Sequence, residues 1–386
     1  MDFLRRHLLE VIGAPLIIWL QWKLAARLAC FVAPRFHRFV GWGAALSTAL
    51  VSFTFASSLP LISRVFPFTP AIEWLKAAGL AWSICSLGAW IADVVFRNLR
   101  QLTPAAAHSP GRRRLLQAGQ AAVMSAPAVA LGYGVFVERH HFRLTESRIE
   151  VPGLPKDLDG LRLVQLSDIH FGPFFGARDL RYAIDMANST RAHLALVTGD
   201  LITVTRDPLD HCLAELRHLR SDAGVVGCLG NHEIVARCEN YAEQRGREAG
   251  IHFLRARAQS FRFGAAELNV AGVDYQPMGK PYLKRAEPLL RPGSYNLLLS
   301  HNPDVFPVAA RQGWDLTVAG HTHGGQITVE ILGMNANIAR FYTPYVYGHY
   351  RQDHQQIYVS RGLGTVGIPS RFGAPPEVSL LTLCAT

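Results

Sequence analysis

Leu161-Arg162-Leu163-Val164-Gln165-Leu166-Ser167-Asp168-Ile169-His170 sets the frame for the chain. The run alternates apolar and polar residues, as a half-buried strand does. It ends in a carboxylate and an imidazole two positions apart. Side chains two apart in an extended chain point to one face. The spacing therefore expects Asp168 and His170 to reach one metal ion from a strand end. An Asp-x-His alone recurs by chance, and its weight comes from the ligand-type residues downstream.

There are four such clusters, each after a short apolar run: Gly199-Asp200, Gly230-Asn231-His232-Glu233, Ser300-His301-Asn302 and Gly320-His321-Thr322-His323-Gly324-Gly325. Ligands on one edge of a sheet converge in space, on loops set by a rigid scaffold. Asp168, His170, Asp200, Asn231, His301, His321 and His323 make two carboxylates, four imidazoles and an amide. One tetrahedral zinc needs about four ligands. Seven, with a carboxylate able to bridge, suit two ions ~3.5–4 Å apart. Mixed imidazole and carboxylate ligation suits Mn, Fe or Zn.

These five ordered motifs resemble those of the calcineurin-like metallophosphoesterases, over about residues 160–386. The stretch Tyr358-Val359-Ser360-Arg361-Gly362-Leu363-Gly364-Thr365, with Pro375-Pro376-Glu377, is similar to the membrane-anchored bacterial phosphodiesterase branch. The resemblance implies a four-layer α/β/β/α sandwich, two β-sheets with helices on both outer faces. It implies one metal on Asp168, His170 and His323, and a second on Asn231, His301 and His321, with Asp200 bridging. Asn231 and His232 are then catalytic. His232 lies beside the ligands as the acid that protonates the leaving group, because an imidazole titrates near neutral pH.

The first 140 residues read differently. Phe39 to Ser63 and Leu115 to Val137 hold no charged residue over 25 and 23 positions. Each is long enough for a spanning helix of ~20 residues. Ala77 to Ala92 is a third span, extended past Asp93 by Val94-Val95-Phe96. Val11 to Trp22 is shorter and reads as spanning or interfacial. The expected organisation is a transmembrane region of three to four helices over 1–140, a linker over 141–160 and a catalytic domain over 161–386.

Charge follows the same division. Residues 1–149 carry 16 Lys+Arg against 6 Asp+Glu, and residues 150–386 carry 23 of each. All of the formal +10 therefore lies among the apolar runs, which fits membrane topology better than a nucleic-acid groove. Lys23, Arg27, Arg35 and Arg38 follow the first apolar run. Arg97, Arg100, Arg112, Arg113 and Arg114 precede the last. The positive-inside rule puts both loops in the cytoplasm and the catalytic half outside it. The expectation is a multi-pass protein of the cytoplasmic (inner) membrane with its site on the periplasmic side. Ser109 to Gln117 resembles a twin-arginine export signal and reads equally as a basic anchor. Six scattered cysteines without CxxC spacing do not make a disulfide framework.

The expected partner is a phosphate ester, a phosphodiester or pyrophosphate of a lipid or envelope component. A nucleotide or nucleic-acid phosphodiesterase is the alternative, disfavoured by the neutral catalytic half. A non-catalytic, metal-stabilised envelope module is the second, opposed by the intact ligand set. Arg361 and Arg371 read as phosphate contacts or as surface arginines. Asn302 reads as a substrate contact or a support for His301. His193, His211, His218, His252, His349 and His354 have no ligand neighbours in sequence and read as ordinary histidines.

Overall fold

A computed structural model describes residues 12–59, 69–101, 110–276, 283–331 and 334–386. Val11, residues 60–64 and Ser109, which belong to the apolar runs and the arginine motif read above, lie outside them. The chain divides into two units, Met1–Val135 with Gly367–Pro369, and Phe136–Val366 with Ser370–Thr386.

The first unit is helical: α1 (Ala14–Phe31), α2 (His37–Ser58), α3 (Pro70–Gln101) and α4 (Pro110–Phe136). Among the described residues, three stretches are long and apolar enough to cross a membrane: Pro34–Ser58, Pro70–Asn98 and Arg114–His140. The first helix is not among them, since Lys23 and Arg27 fall inside it. Trp42, Leu46 and Leu115 stand 74%, 74% and 73% exposed, outward-facing apolar surface that lipid would cover. One carboxylate goes the other way. Asp93 is buried and pairs with Arg27 of α1 and, at 3.2 Å, with Nε of Arg97 of α3. Gln120 of α4 donates its amide to it at 3.0 Å. Charged groups at such depth are tolerated when paired, so Asp93 fastens three helices at one point.

In the second unit, β1 (Arg143–Val151), β2 (Arg162–Leu166), β3 (Leu194–Thr198), β4 (Val225–Cys228), β5 (Ile251–Phe253) and β14 (Glu377–Ala385) form one sheet, in the order β1-β14-β2-β3-β4-β5. The second sheet runs β12-β13-β9-β8-β7-β6, from β6 (Arg257–Phe263), β7 (Ala266–Gly272), β8 (Tyr295–Leu299), β9 (Leu316–Ala319), β12 (Gly348–Gln352) and β13 (Gln355–Val359). A small hairpin, β10 (Thr328–Ile331) with β11 (Met334–Asn337), stands apart from both. The expected linker over 141–160 is corrected here. Its first half is β1, paired in parallel with β14 along nine residues, and buried Ile149 and Val151 belong to the core between the sheets.

That core joins Leu163, Leu196, Val226 and Leu381 of one sheet to Leu268, Val270, Leu297 and Val318 of the other. Each such side chain contributes about 1.5–3 kcal/mol on burial. The outer face of the first sheet is covered by α5 (Ala177–Ser189), α6 (Leu209–Leu216) and α8 (Glu239–Glu248); the short α7 (Asn231–Ala236) follows β4. The outer face of the second is covered by α9 (Phe306–Gln312) and Trp314. This is the expected four-layer sandwich. β2 departs from the half-buried reading, because a parallel central strand is covered on both faces. Gln165 is fully buried in it, and its amide donates to Thr198 Oγ1 at 2.7 Å and to the Ala319 carbonyl of the other sheet at 2.8 Å.

Replacing Asp93 by Ala leaves Arg27 and Arg97 without their shared counterion, while Asn removes the charge but keeps one acceptor oxygen. The expected order of thermal stability for the full chain in detergent is wild type, Asp93→Asn, Asp93→Ala, with the alanine chain lower by several degrees. Tryptophan fluorescence melting reads it.

Candidate metal centre

The motif loops all leave the C-terminal ends of parallel strands. β2, β3 and β4 of one sheet supply Asp168 with His170, Asp200, and Asn231 with His232. β8 and β9 of the other supply His301, and His321 with His323. Gly320 allows the two edges to meet, since a Cβ there would fall onto Ser167 Oγ and the Asp168 carboxylate.

The strand-end geometry expected for Asp168 and His170 is replaced by something tighter. β2 stops at Leu166, and both residues take left-handed backbone, with φ of 51° and 47°. Asp200, His321 and His323 do the same, at 54°, 76° and 53°. Such conformations cost about 1–3 kcal/mol each and persist where the surroundings hold them. Here the loops brace one another. Asp168 N donates to Gly199 O at 3.1 Å, His170 N to Asp200 O at 3.0 Å, and Gly364 N to Asp168 O at 2.7 Å.

Six of the seven expected side chains gather in two clusters. Asp168, His170, Asp200 and His323 form one cluster, and Asp200, His301 and His321 a second, with the ligand atoms in each within 4.8 Å of one another. His170 Nε2 lies 3.1 Å from His323 Nε2 and 3.5 Å from Asp200 Oδ2. His301 Nε2 lies 3.1 Å from Asp200 Oδ2. His301 Nδ1 faces the Thr198 carbonyl at 2.7 Å, so Nδ1 carries the proton and Nε2 turns a lone pair towards a carboxylate. A metal cation between them, or a second proton on His301, makes that arrangement favourable. Asn231 Oδ1 is buried without a hydrogen-bond partner. The donor set therefore fits divalent metal.

The electrostatics agree. Burial pushes the His170 imidazole down to about 3 and His321 to about 4, and drives His323 well below its ordinary value. All three are neutral and present lone pairs. Burial pushes the Asp168 carboxyl up to about 6, with Asp200 adding and His301 opposing. Burial also works against an ionised Asp200, yet His301 holds it below the usual carboxylate range. The same pairing outweighs burial for His301 and raises it.

His232 stands beside the ligands, with its Nδ1 2.7 Å from the Thr203 carbonyl and Nε2 4.0 Å from Asp200 Oδ2. Its ring meets the His170 ring edge-on at 4.8 Å. Three other expected contacts resolve as scaffolding. Arg371 is fully buried and donates to the carbonyls of Arg361, Gly364 and Ala374. That cage holds the 361–374 loop and does not reach for substrate. Arg361 pairs with buried Glu377 and lies 4.0 Å over the Tyr347 ring. Asn302 donates to Gln276 O at 3.0 Å and accepts from Asp304 N, although it also lines the cavity beside His321.

Three residues escape the sequence reading. Thr203 orients two imidazoles, through its hydroxyl to His170 Nδ1 at 3.0 Å and its carbonyl to His232. Nothing in the sequence marks it. Tyr275 lies 5.3 Å from the His321 ring, just past the end of β7, where the strand-end rule would have found it. Glu233 stands in a quoted motif, and its carboxylate accepts from Gly230 N, Leu201 N and Asp200 N at 2.7, 2.7 and 3.1 Å. It stitches two ligand loops together.

The model of the family described as calcineurin-like phosphoesterase matches residues 161–325. A relative from Bacillus subtilis, uncharacterized metallophosphoesterase YkuE, is 30% identical over 261 residues, covering 66% of this chain and 90% of that protein. A transmembrane protein with metallophosphoesterase domain from Danio rerio is 30% identical over 272 residues, and the match spans 66% of this chain and 60% of the fish protein. An uncharacterized metallophosphoesterase of Aquifex aeolicus is 28% identical over 262 residues, 66% of this chain and 97% of its own length.

Glu233→Ala leaves three buried N–H groups without their acceptor, each about 1–3 kcal/mol. The expected outcome is a chain that melts earlier and carries less metal by mass spectrometry. Glu233→Gln keeps an acceptor oxygen and should fall between that chain and wild type. Equal melting and metal content in all three would remove this role.

Proposed function

This chain belongs to the calcineurin-like phosphoesterase family, and on that footing we propose that it is a membrane-anchored phosphodiesterase using two divalent ions. The pair of ligand clusters sharing Asp200 carries this reading. Asp168, His170 and His323 would hold one ion, and Asn231, His301 and His321 the other, with Asp200 common to both. Mn, Fe or Zn suits such donors. When bound, the ions supply Lewis-acid polarisation of the phosphate and an acidified water.

The protein's own side chains do the rest. Thr198 and Thr203 fix the tautomers of His301 and His232 through carbonyl acceptors. That leaves His232 Nε2 facing the centre, where the ring in its imidazolium form would give its Nε2 proton to the leaving oxygen and keep the one on Nδ1. A positioned acid of this kind contributes about 10²–10⁴-fold. His170, His321 and His323 stay neutral through burial, so none competes for that proton.

The substrate in this reading is a phosphodiester or pyrophosphate of a lipid or envelope component. Three helices fit to cross a membrane keep the site near headgroups. The balanced charge of residues 150–386 disfavours a polynucleotide. The basic loops orient the chain with its catalytic half on the periplasmic side of the inner membrane. The arginines at 112–114 fall in the first turns of α4, where they serve as the flanking anchor or as a twin-arginine export signal.

Purified full chain should release nitrophenol from bis-(p-nitrophenyl) phosphate, lose that activity on chelation and regain it with Mn or Zn. No turnover in fully metal-loaded protein would remove the enzyme reading. His232→Asn should retain metal and lose about 10²–10⁴-fold in kcat on an alkyl diester, and much less on the nitrophenyl ester, whose leaving group needs no acid. Alkaline phosphatase fused after Thr386 should be active in cells; an active reporter restricted to the cytoplasm would reverse the orientation.

A further inference from the structure

A cavity of about 290 Å³ opens off the metal centre. His321 and His323 line one side, and Ile338, Tyr342 and Thr343 line the other. The second wall belongs to the segment after the β10–β11 hairpin. Ile338, Phe341 and Tyr342 in it are 72%, 87% and 81% exposed, the three highest values for large apolar side chains among the described residues after 140. Single exposed apolar residues need no explanation, whereas three within five positions beside a cavity do.

The backbone beneath them is tied down. Arg340 N donates to the buried Asn337 side chain at 3.0 Å, and Tyr342 N and Thr343 N both donate to Ala339 O at 2.9 Å. The Thr343 hydroxyl donates to Asp304 at 2.5 Å. The apolar side chains are thus presented outward by a fixed turn. A second exposed apolar group, Val204, Ile234 and Val235, flanks His232. Two rims of the same centre are therefore apolar. Arg340 is exposed between Ile338 and Phe341. Aliphatic, aromatic and arginine side chains together suit a membrane interface, with rings and stems in the apolar layer and the guanidinium at phosphate depth.

We propose that residues 338–342 are the lipid-reading lip of the site. They seat the hydrocarbon chain of an amphiphilic phosphate ester while the cavity leads its headgroup towards His321 and His323. The occupant is a membrane lipid: Arg340 complements its phosphate, the apolar side chains complement its tail, and the chain's own apolar helices hold the site where such molecules are concentrated. A nucleotide could stack its base on Phe341 or Tyr342, whereas a hydrocarbon chain uses Ile338 as well. This inference deepens the phosphodiesterase reading and rests on it for the cleavage step.

The test uses the full chain in phosphatidylcholine nanodiscs, loaded with Mn, and two p-nitrophenyl phosphate diesters whose second ester group is ethyl or dodecyl. Wild type should favour the dodecyl ester in kcat/KM by about tenfold or more, through KM. Phe341→Ser with Tyr342→Ser should cut that ratio about fivefold or more. Phe341→Leu with Tyr342→Leu should restore it. No preference in wild type, or an unchanged ratio in the serine chain, would overturn the proposal. If neither ester is cleaved, the phosphodiesterase reading falls while the lip is still decided. Dodecyl phosphate should then bind wild type more tightly than the serine chain, with ethyl phosphate showing no such difference. Equal binding of dodecyl phosphate by both chains would overturn the lip.

Discussion

A carboxylate buried away from the surface constrains everything built around it. Asp200 is buried, and one oxygen accepts the His232 amide at 2.9 Å while the other meets His301 at 3.1 Å and His170 at 3.5 Å. Asp168 is buried close by, with an oxygen 3.9 Å from the same His301 ring. Two carboxylates cannot ionise together at such depth unless positive charge answers them. His170, His321 and His323 cannot supply it, because burial keeps their protons off, so among these rings it falls to His301, whose pairing with Asp200 favours its charged form. The two clusters are a donor set that a divalent cation would complete.

Holding that arrangement requires stiffness from many directions. Five of the seven ligand residues sit in left-handed backbone, and amide-to-carbonyl bonds between the loops keep them there. Glu233 binds three amides from two loops, and Gln165 ties the two sheets just below the site. Arg371 supports the loop after β13 from within. None of these groups is itself a candidate ligand. They decide how closely the ligands meet.

Both units of the chain carry apolar surface that the proposed lipid substrate would use. The helices carry outward apolar faces along lengths that match a bilayer. The catalytic unit exposes its most apolar side chains next to its own cavity, where a soluble enzyme would be expected to place polar ones. An ester with one charged and one hydrocarbon end answers both features.

The sequence by itself determined the family, the four-layer class, three stretches long and apolar enough to cross a membrane, and six residues that gather in two candidate ligand clusters. It did so because ligand types and glycines at strand ends, and long uncharged runs, are local properties written in order along the chain. Tertiary structure decided the rest. Residues 141–160 look like a linker locally, yet β1 forms there because β14, more than two hundred residues later, offers it an edge. Arg371 looks like a phosphate contact, yet the fold wraps carbonyls around it. Asp168 and His170 look like neighbours on a strand, yet they converge through left-handed turns that loops from other strands hold in place. Thr203 and the exposed lip at residues 338–342 have no signature of their own, because orientation and exposure depend on which distant residues arrive beside them.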